Sequence, residues 1–109
     1  MESKHAVLAL EALAQESRLR IFRLLVEAGP GGTAAGEIAG ELGLPAATLS
    51  FHLSQLKHAC LIDCRRQGRS LLYSANFDAM NGLVGFLTEN CCGGASCLPA
   101  SAKPKRQTK

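Results

Sequence analysis

Apolar positions in the first part of the chain recur at helical spacing and predict two helices. Residues 5–14 are apolar almost all round, which is typical of a helix that is buried on more than one side. Residues 16–28 form the second helix, and the glycine- and proline-rich residues 29–32 end it. The first helix therefore has enough apolar surface for its own core and for a partner subunit.

Two further helices are predicted on either side of Gly43. Thr33 is expected to be the N-cap of the third helix, which Gly43 ends. Pro45 begins the fourth helix at a position where its missing N–H has no cost, and that helix extends to about Ala59. Its inward stripe comprises Leu49, Leu53 and Leu56. The positions expected to lie away from that stripe are Thr48, Phe51, His52 and Gln55.

The spacing of apolar residues then changes to that of short strands. Residues 62–66 and 71–74 are strand-like, and the glycine within residues 67–70 indicates a hairpin turn between them. Asp78 is expected to cap a fifth helix that ends near Asn90. The apolar stripe of this helix comprises Met80, Leu83, Val84 and Leu87. The pattern therefore predicts a mainly α fold with five helices and a small β-hairpin.

The composition is that of one small folded domain, because 47% of the 109 residues are apolar and 19% are charged. We assign this domain to residues 1–92 and a flexible, cysteine-containing basic tail to residues 93–109. Four of the twelve basic groups lie in the last seven residues, so an anionic partner must meet a local cluster elsewhere. No apolar run predicts a membrane span and no signal-peptide pattern is present, so we expect a cytoplasmic protein.

The order of these elements predicts a winged helix-turn-helix. Two short helices joined at Gly43 and Leu44 are followed by a hairpin that carries three arginines. One helix fits into the DNA major groove, where its first turns reach base edges. The hairpin can then lie along the neighbouring phosphates, which supply affinity without sequence preference.

Four stretches carry a family resemblance: residues 13–21, 48–57, 59–62 and 66–73. They resemble the ArsR/SmtB family of metal- and metalloid-responsive repressors. The resemblance implies a homodimer on double-stranded operator DNA, built through the first and fifth helices, with the fourth helix in the major groove. The residues expected near the bases are Thr48, Ser50, Phe51, His52 and Gln55. Those expected at phosphates are Lys57, Arg65, Arg66 and Arg69. Those expected at the dimer interface are Val7, Leu10, Met80, Leu83, Val84 and Leu87.

Some of these residues have alternative interpretations. His52 can orient the helix instead of contacting a base, and Ser50 can bond its own helix backbone. The arginines of the second helix, Arg18, Arg20 and Arg23, are expected to form a solvated face.

The strongest chemical signal is the group of three cysteines, Cys91, Cys92 and Cys97. Three converging thiolates suit trivalent arsenic or antimony, whereas zinc prefers four ligands. Softness alone leaves cadmium, lead and monovalent copper open. The chain lacks the third-helix Cys-x-Cys motif and the last-helix histidines of common ArsR/SmtB sites. It resembles other members that have a cysteine pair plus a third cysteine and respond to trivalent arsenic.

We therefore expect a repressor released by arsenite, with no organic cofactor. Two alternatives remain: a thiol-redox or persulfide-sensing repressor of the same fold, and a constitutive DNA-binding or interaction module. An enzyme is not expected, because the chain shows no nucleophile–base order, phosphate loop or paired carboxylates. Cys60 and Cys64 are expected to have no ligand role, and Cys60 to pack as a small hydrophobic residue.

Overall fold

The computed structural model describes residues 1–94, and Cys97 lies outside them. This part of the chain consists of helices, a small antiparallel sheet and a terminal 3-10 turn at Cys91–Gly94. The helices are α1 (Ser3–Leu13), α2 (Glu16–Ala28), α3 (Ala35–Leu42), α4 (Ala46–His58) and α5 (Phe77–Thr88). The strands are β1 (Thr33–Ala34), β2 (Ile62–Gln67) and β3 (Ser70–Ala75). The predicted five helices and hairpin wing are confirmed.

One apolar core holds the helices together. Its fully buried large side chains come from α2, α3, α4 and the start of the wing, and they are Ile21, Leu25, Ile38, Leu49, Leu56 and Leu61. Burying each such side chain contributes about 1.5–3 kcal/mol. The inward orientation predicted for Leu49, Leu53 and Leu56 is confirmed, since each is at most 3% exposed.

The wing is the β2–β3 hairpin, which is extended by a third strand that the sequence pattern did not reveal. β3 is central, with β2 on one side and β1 on the other. Gln67 pairs with Ser70 across a two-residue turn in which Gly68 has a φ of +63°. β1 joins through the pairs Thr33–Tyr73 and Ala34–Leu72. The sheet therefore connects the segment that leads into α3 directly to the wing.

Gly32 makes the approach of β1 to the wing possible. Its φ is +87°, a conformation that L side chains rarely adopt. A Cβ at this position would lie 3.1 Å from the Leu72 Cβ and 3.3 Å from the Tyr73 carbonyl oxygen. A larger residue would therefore push the loop away from β3.

The caps of α3 and α5 differ from the sequence-based expectation. Thr33 lies in β1, and Ala34 occupies the N-cap position of α3, where its N–H donates to the Glu37 carboxylate at 3.3 Å. Asn76, and not Asp78, caps α5, because its side-chain oxygen accepts from the Ala79 N–H at 3.1 Å. Asp78 lies in the first turn, where a carboxylate is favoured by the helix dipole. No helix within residues 1–94 has the length and apolar character needed to cross a membrane.

Candidate nucleic-acid interface and cysteine cluster

The outer face of α4 is polar apart from one large aromatic side chain. Gly43, in the left-handed conformation with a φ of +67°, ends α3 and lets the chain turn into α4. The exposed predicted residues of α4 are Thr48, Ser50, Phe51, Gln55 and Lys57. Phe51 is 57% exposed, so its ring projects among hydroxyl and amide groups that can bond base edges.

His52 does not share this outer face. It is 8% exposed and packs on the same side as Leu49 and Leu53, so the prediction that it lies away from the apolar stripe is wrong. Its Nδ1 lies 3.3 Å from the Arg18 Nη1. Burial and the neighbouring guanidinium lower the pKa of His52 below its ordinary value of 6.5. These contacts agree with the alternative interpretation, in which His52 orients α4.

Arg18 is half-buried, which corrects the expectation that it belongs to a solvated face. Its Nε donates to the Ala12 carbonyl at 2.7 Å, and its backbone N–H donates to the Gln15 side chain at 2.8 Å. Arg23 behaves as expected: it is exposed and forms an ion pair of 3.8 Å with Glu27. Arg18 is therefore a structural link between helices.

The three wing arginines have different surroundings. Arg66 and Arg69 are exposed near the hairpin tip, as a phosphate-contacting role requires. Arg65 instead donates to the carbonyls of Pro30 and Gly31, at 3.2 Å and 2.7 Å. Because its guanidinium binds the loop between α2 and β1, the structure corrects the expectation that Arg65 is directed at phosphates.

A polar cleft of about 450 Å³ lies between α4 and the wing. It is lined by Ser50, Leu53, Ser54, Lys57, His58 and Tyr73. Burial is the main cause that raises the pKa of Tyr73 above its ordinary value of 10.0, and the adjacent Cys64 is the second cause. The phenol therefore stays protonated and can donate a hydrogen bond. Ser54 and Tyr73 were missed in the sequence. Helical spacing from Ser50 identifies Ser54, whereas only the folded hairpin brings in Tyr73.

Cys91 and Cys92 lie together just beyond α5. Their sulfur atoms are 3.8 Å apart, and Cys91 is disulfide-bonded in the structure. Once Cys91 is reduced, two sulfurs at this separation can both reach one centre at about 2.3 Å, a typical metal–thiolate distance. Within residues 1–94, no three His, Cys, Asp or Glu side chains are grouped to hold a metal. A three-thiolate site thus depends on Cys97, which is outside the described residues.

Cys60 and Cys64 are free thiols, as is Cys92. Cys60 is exposed and has a φ of +62°, so the expectation that it packs as a small hydrophobic residue is wrong. It follows α4 at the turn into the wing, where the backbone needs a left-handed residue. Cys64 is half-buried in β2 opposite Tyr73.

Comparison with known proteins places these elements in context. A helix-turn-helix domain family matches residues 13–65. The HTH-type transcriptional regulator YgaV of Escherichia coli strain K12 is 33% identical over 90 residues, which are 83% of this chain and 89% of that protein. The chain belongs to the helix-turn-helix transcriptional regulators. Its fold, relatives and exposed α4 face support DNA-binding transcription regulation.

Two solved structures are similar to this regulator over most of its length. HlyU from Vibrio cholerae N16961 has a TM-score of 0.66 at 28% identity, covering 84% of this chain and 99% of that one. The homodimeric winged helix-turn-helix DNA-binding domain Mb0332 from Mycobacterium bovis, a possible ArsR-family regulator, has a TM-score of 0.64 at 27% identity. That match covers 84% of this chain and 85% of the other. These matches confirm the winged helix-turn-helix fold.

The regulator also carries an exposed apolar surface on α1 and α5. Val7, Leu10, Val84 and Leu87 are 54%, 41%, 56% and 58% exposed. Met80 is half-buried and lines an apolar groove of about 380 Å³ between α2 and α5. Leu83 is 7% exposed and packs in the core of its own chain, which leaves it little surface for the predicted dimer interface.

Proposed function

We propose that this regulator is a repressor of the ArsR/SmtB type that binds operator DNA as a homodimer and is released by trivalent arsenic or antimony. The observation that carries the proposal is the pair of sulfurs of Cys91 and Cys92, 3.8 Å apart, immediately after α5. Cys97 follows five residues later and is the third thiolate of the proposed site.

The DNA-binding part of the proposal is supported by α4 and the wing. Thr48, Gln55 and Phe51 are exposed on one helix, and Arg66 and Arg69 are exposed on the hairpin beside it. The polar cleft between them is lined by hydroxyl groups and by the Lys57 ammonium, which suit a sugar-phosphate backbone. Base contacts from the helix and phosphate contacts from the wing would then act together.

The homodimer is supported by the exposed aliphatic side chains of α1 and α5. Mb0332, which is similar over most of the chain, is homodimeric. A two-fold dimer presents its two α4 helices to an inverted repeat whose half-sites are about 34 Å apart.

The donor set fits a soft trivalent ion. Thiolates are soft ligands, and the spacing of the first two sulfurs allows both to bind one centre. Asp78 is in the first turn of α5, at the opposite end of the helix from the cysteines. A site of three thiolates favours arsenic and antimony over zinc, which usually takes four ligands.

Release follows from the position of the site. Binding of three cysteines to one ion repositions the end of α5, which also carries Val84 and Leu87 of the proposed dimer surface. The two α4 helices then lose the separation that fits both half-sites. A 100-fold loss of operator affinity requires about 2.7 kcal/mol of coupling, which is within the usual range for allostery.

The test is titration of the reduced protein with arsenite and with antimonite on the DNA duplex that it selects from a randomised pool. Cys91→Ser, Cys92→Ser and Cys97→Ser are expected to keep DNA affinity and to lose most of the roughly 100-fold release. Cys60→Ser, which removes an exposed free thiol elsewhere, is the matched control and should behave like wild type. Release of a triple Cys91/Cys92/Cys97→Ser variant by arsenite would contradict the site.

A second candidate, a thiol-redox switch, is favoured by the disulfide of Cys91. In that reaction two thiols give two electrons and two protons to an oxidant and form one disulfide. Release by an oxidant such as diamide, reversed by dithiothreitol and with two thiols consumed per chain, would favour the switch. Release by arsenite under full reduction, with three thiols protected from alkylation, would favour the metalloid site.

A further inference from the structure

One guanidinium connects the end of α1 to the middle of α4. Arg18, in the first turn of α2, donates from Nε to the Ala12 carbonyl at 2.7 Å. Its Nη1 lies 3.3 Å from Nδ1 of His52. Ala12 is in the last turn of α1, where carbonyls have no partner within their own helix. Arg18 therefore satisfies an otherwise open carbonyl and holds α4 at the same time.

The surroundings determine the chemical form of this contact. A guanidinium has only donors, so Nδ1 of His52 must be an unprotonated acceptor and the ring proton resides on Nε2. His52 is 8% exposed and Arg18 is half-buried, so water competes little for the bond. A hydrogen bond from a charged donor is stronger than a neutral one. The contact is therefore specific to neutral histidine.

We propose that Arg18 and His52 form a latch that sets the position of α4 relative to α1 and thereby the affinity for operator DNA. The proposal rests on the proposed DNA-binding function of α4. α1 also carries Val7 and Leu10, so the latch joins the surface proposed to hold two copies together to the helix proposed to contact bases. Arg18 and His52 act here as positioning residues and need not touch DNA.

The first test compares substitutions of His52 on the duplex that the wild-type protein selects from a randomised pool. His52→Leu fills the site without an acceptor and is expected to weaken binding about ten-fold, or about 1.4 kcal/mol. His52→Asn places an oxygen close to the position of Nδ1 and is expected to retain most of the affinity. Arg23→Ala removes an exposed arginine from the same helix as Arg18 and is the matched control, with no latch effect expected.

The second test is the pH profile. Acid protonates Nδ1, which removes the acceptor and places a second cation beside Arg18. The folded protein disfavours this proton, because burial and then the charge of Arg18 lower the pKa of His52. Wild-type affinity should be constant above pH 6.5 and fall below it. His52→Asn should lack this step, and His5 and His58 remain in both proteins, so the difference isolates His52.

Several results would overturn the latch. His52→Leu could bind the selected duplex as tightly as wild type, or His52→Asn could keep the wild-type pH profile. A changed preference at a single base pair on re-selection would assign His52 to base contact instead. A thermal unfolding curve of each variant confirms that folded protein is compared. If wild type selects no sequence at all, the proposed DNA-binding function fails, which is distinguishable from failure of the latch alone.

Discussion

The fourth and fifth helices have similar apolar stripes, but the chain covers them to very different extents. α4 buries Leu49, His52, Leu53 and Leu56. Within residues 1–94, α5 buries only Leu83 and leaves Val84 and Leu87 more than half exposed. The same helical period therefore serves two purposes: one stripe completes the core of its own chain, and the other keeps apolar surface available.

The uncovered faces differ in chemistry as well as in extent. The outer face of α4 is polar around Phe51, which suits a hydrated and charged partner such as DNA. The outer face of α5 is aliphatic and continues onto α1 through Val7 and Leu10, which suits a second copy. Burial within one chain thus distinguishes the helix proposed to contact DNA from the helix proposed to join subunits, although both have the same periodicity.

The largest effect is expected from alanine substitutions that test this difference in coverage. Leu56→Ala should lower the free energy of unfolding by about 2–5 kcal/mol at any protein concentration, because Leu56 is fully buried. Leu87→Ala should have a smaller effect that disappears at protein concentrations low enough to dissociate the dimer, because Leu87 is exposed in the single chain. Urea unfolding at two protein concentrations measures both. A concentration-independent loss of equal size for Leu87→Ala would contradict an interface role for α5.

An intermediate effect is expected from the outer face of α4. Phe51→Ala and Gln55→Ala should reduce discrimination between the selected duplex and random DNA by about 1–3 kcal/mol each, because they remove groups proposed to contact base edges. Lys57→Ala, on the same helix but in the polar cleft, should weaken binding to both DNAs alike. Competition binding on the two duplexes distinguishes these outcomes. Equal losses on both DNAs for Phe51→Ala would remove it from the base-contacting surface.

The smallest effect concerns the salt dependence of binding through the wing. Arg66→Ala and Arg69→Ala should each reduce the slope of log affinity against log salt by about one, because each removes a proposed phosphate contact. Arg65→Ala should leave the slope unchanged, since its guanidinium binds the Pro30 and Gly31 carbonyls. Titrations at several salt concentrations give the slopes. A reduced slope for Arg65→Ala would return this residue to the set of phosphate contacts.

Local signals predicted most of the fold. The leucine spacing of α4, the glycine at the hairpin turn and Gly43 between α3 and α4 each act within a few residues, so the sequence alone reveals them. Strand β1 has only two residues, which is too short for an alternating pattern. Asn76 was overlooked as the cap of α5 because Asp78 is also a favoured cap residue nearby.

The sequence predicts the candidate site only for residues whose exposure is determined by their position along their own helix. The exposure of Thr48, Phe51 and Gln55 follows from helical spacing. The partners of His52 and Arg65 are 34 and 35 residues away in sequence, so no local pattern indicates them. The polar ring of His52 suggests an outward position. Its spacing of three residues from Leu49 nevertheless places it on the inward side of the helix.

The third strand has a mechanical consequence for regulation. β1 is paired to β3, and Gly32 lies against Leu72. Arg65 of β2 donates to the Gly31 carbonyl in the loop that leads into β1. The segment entering α3 and the wing are thereby joined into one unit, so the proposed inducer would have little freedom to bend one against the other. It would instead have to shift these units of the two subunits relative to each other. The loss of operator affinity caused by the proposed inducer should therefore depend more on the distance between the two half-sites than on the base sequence within each half-site.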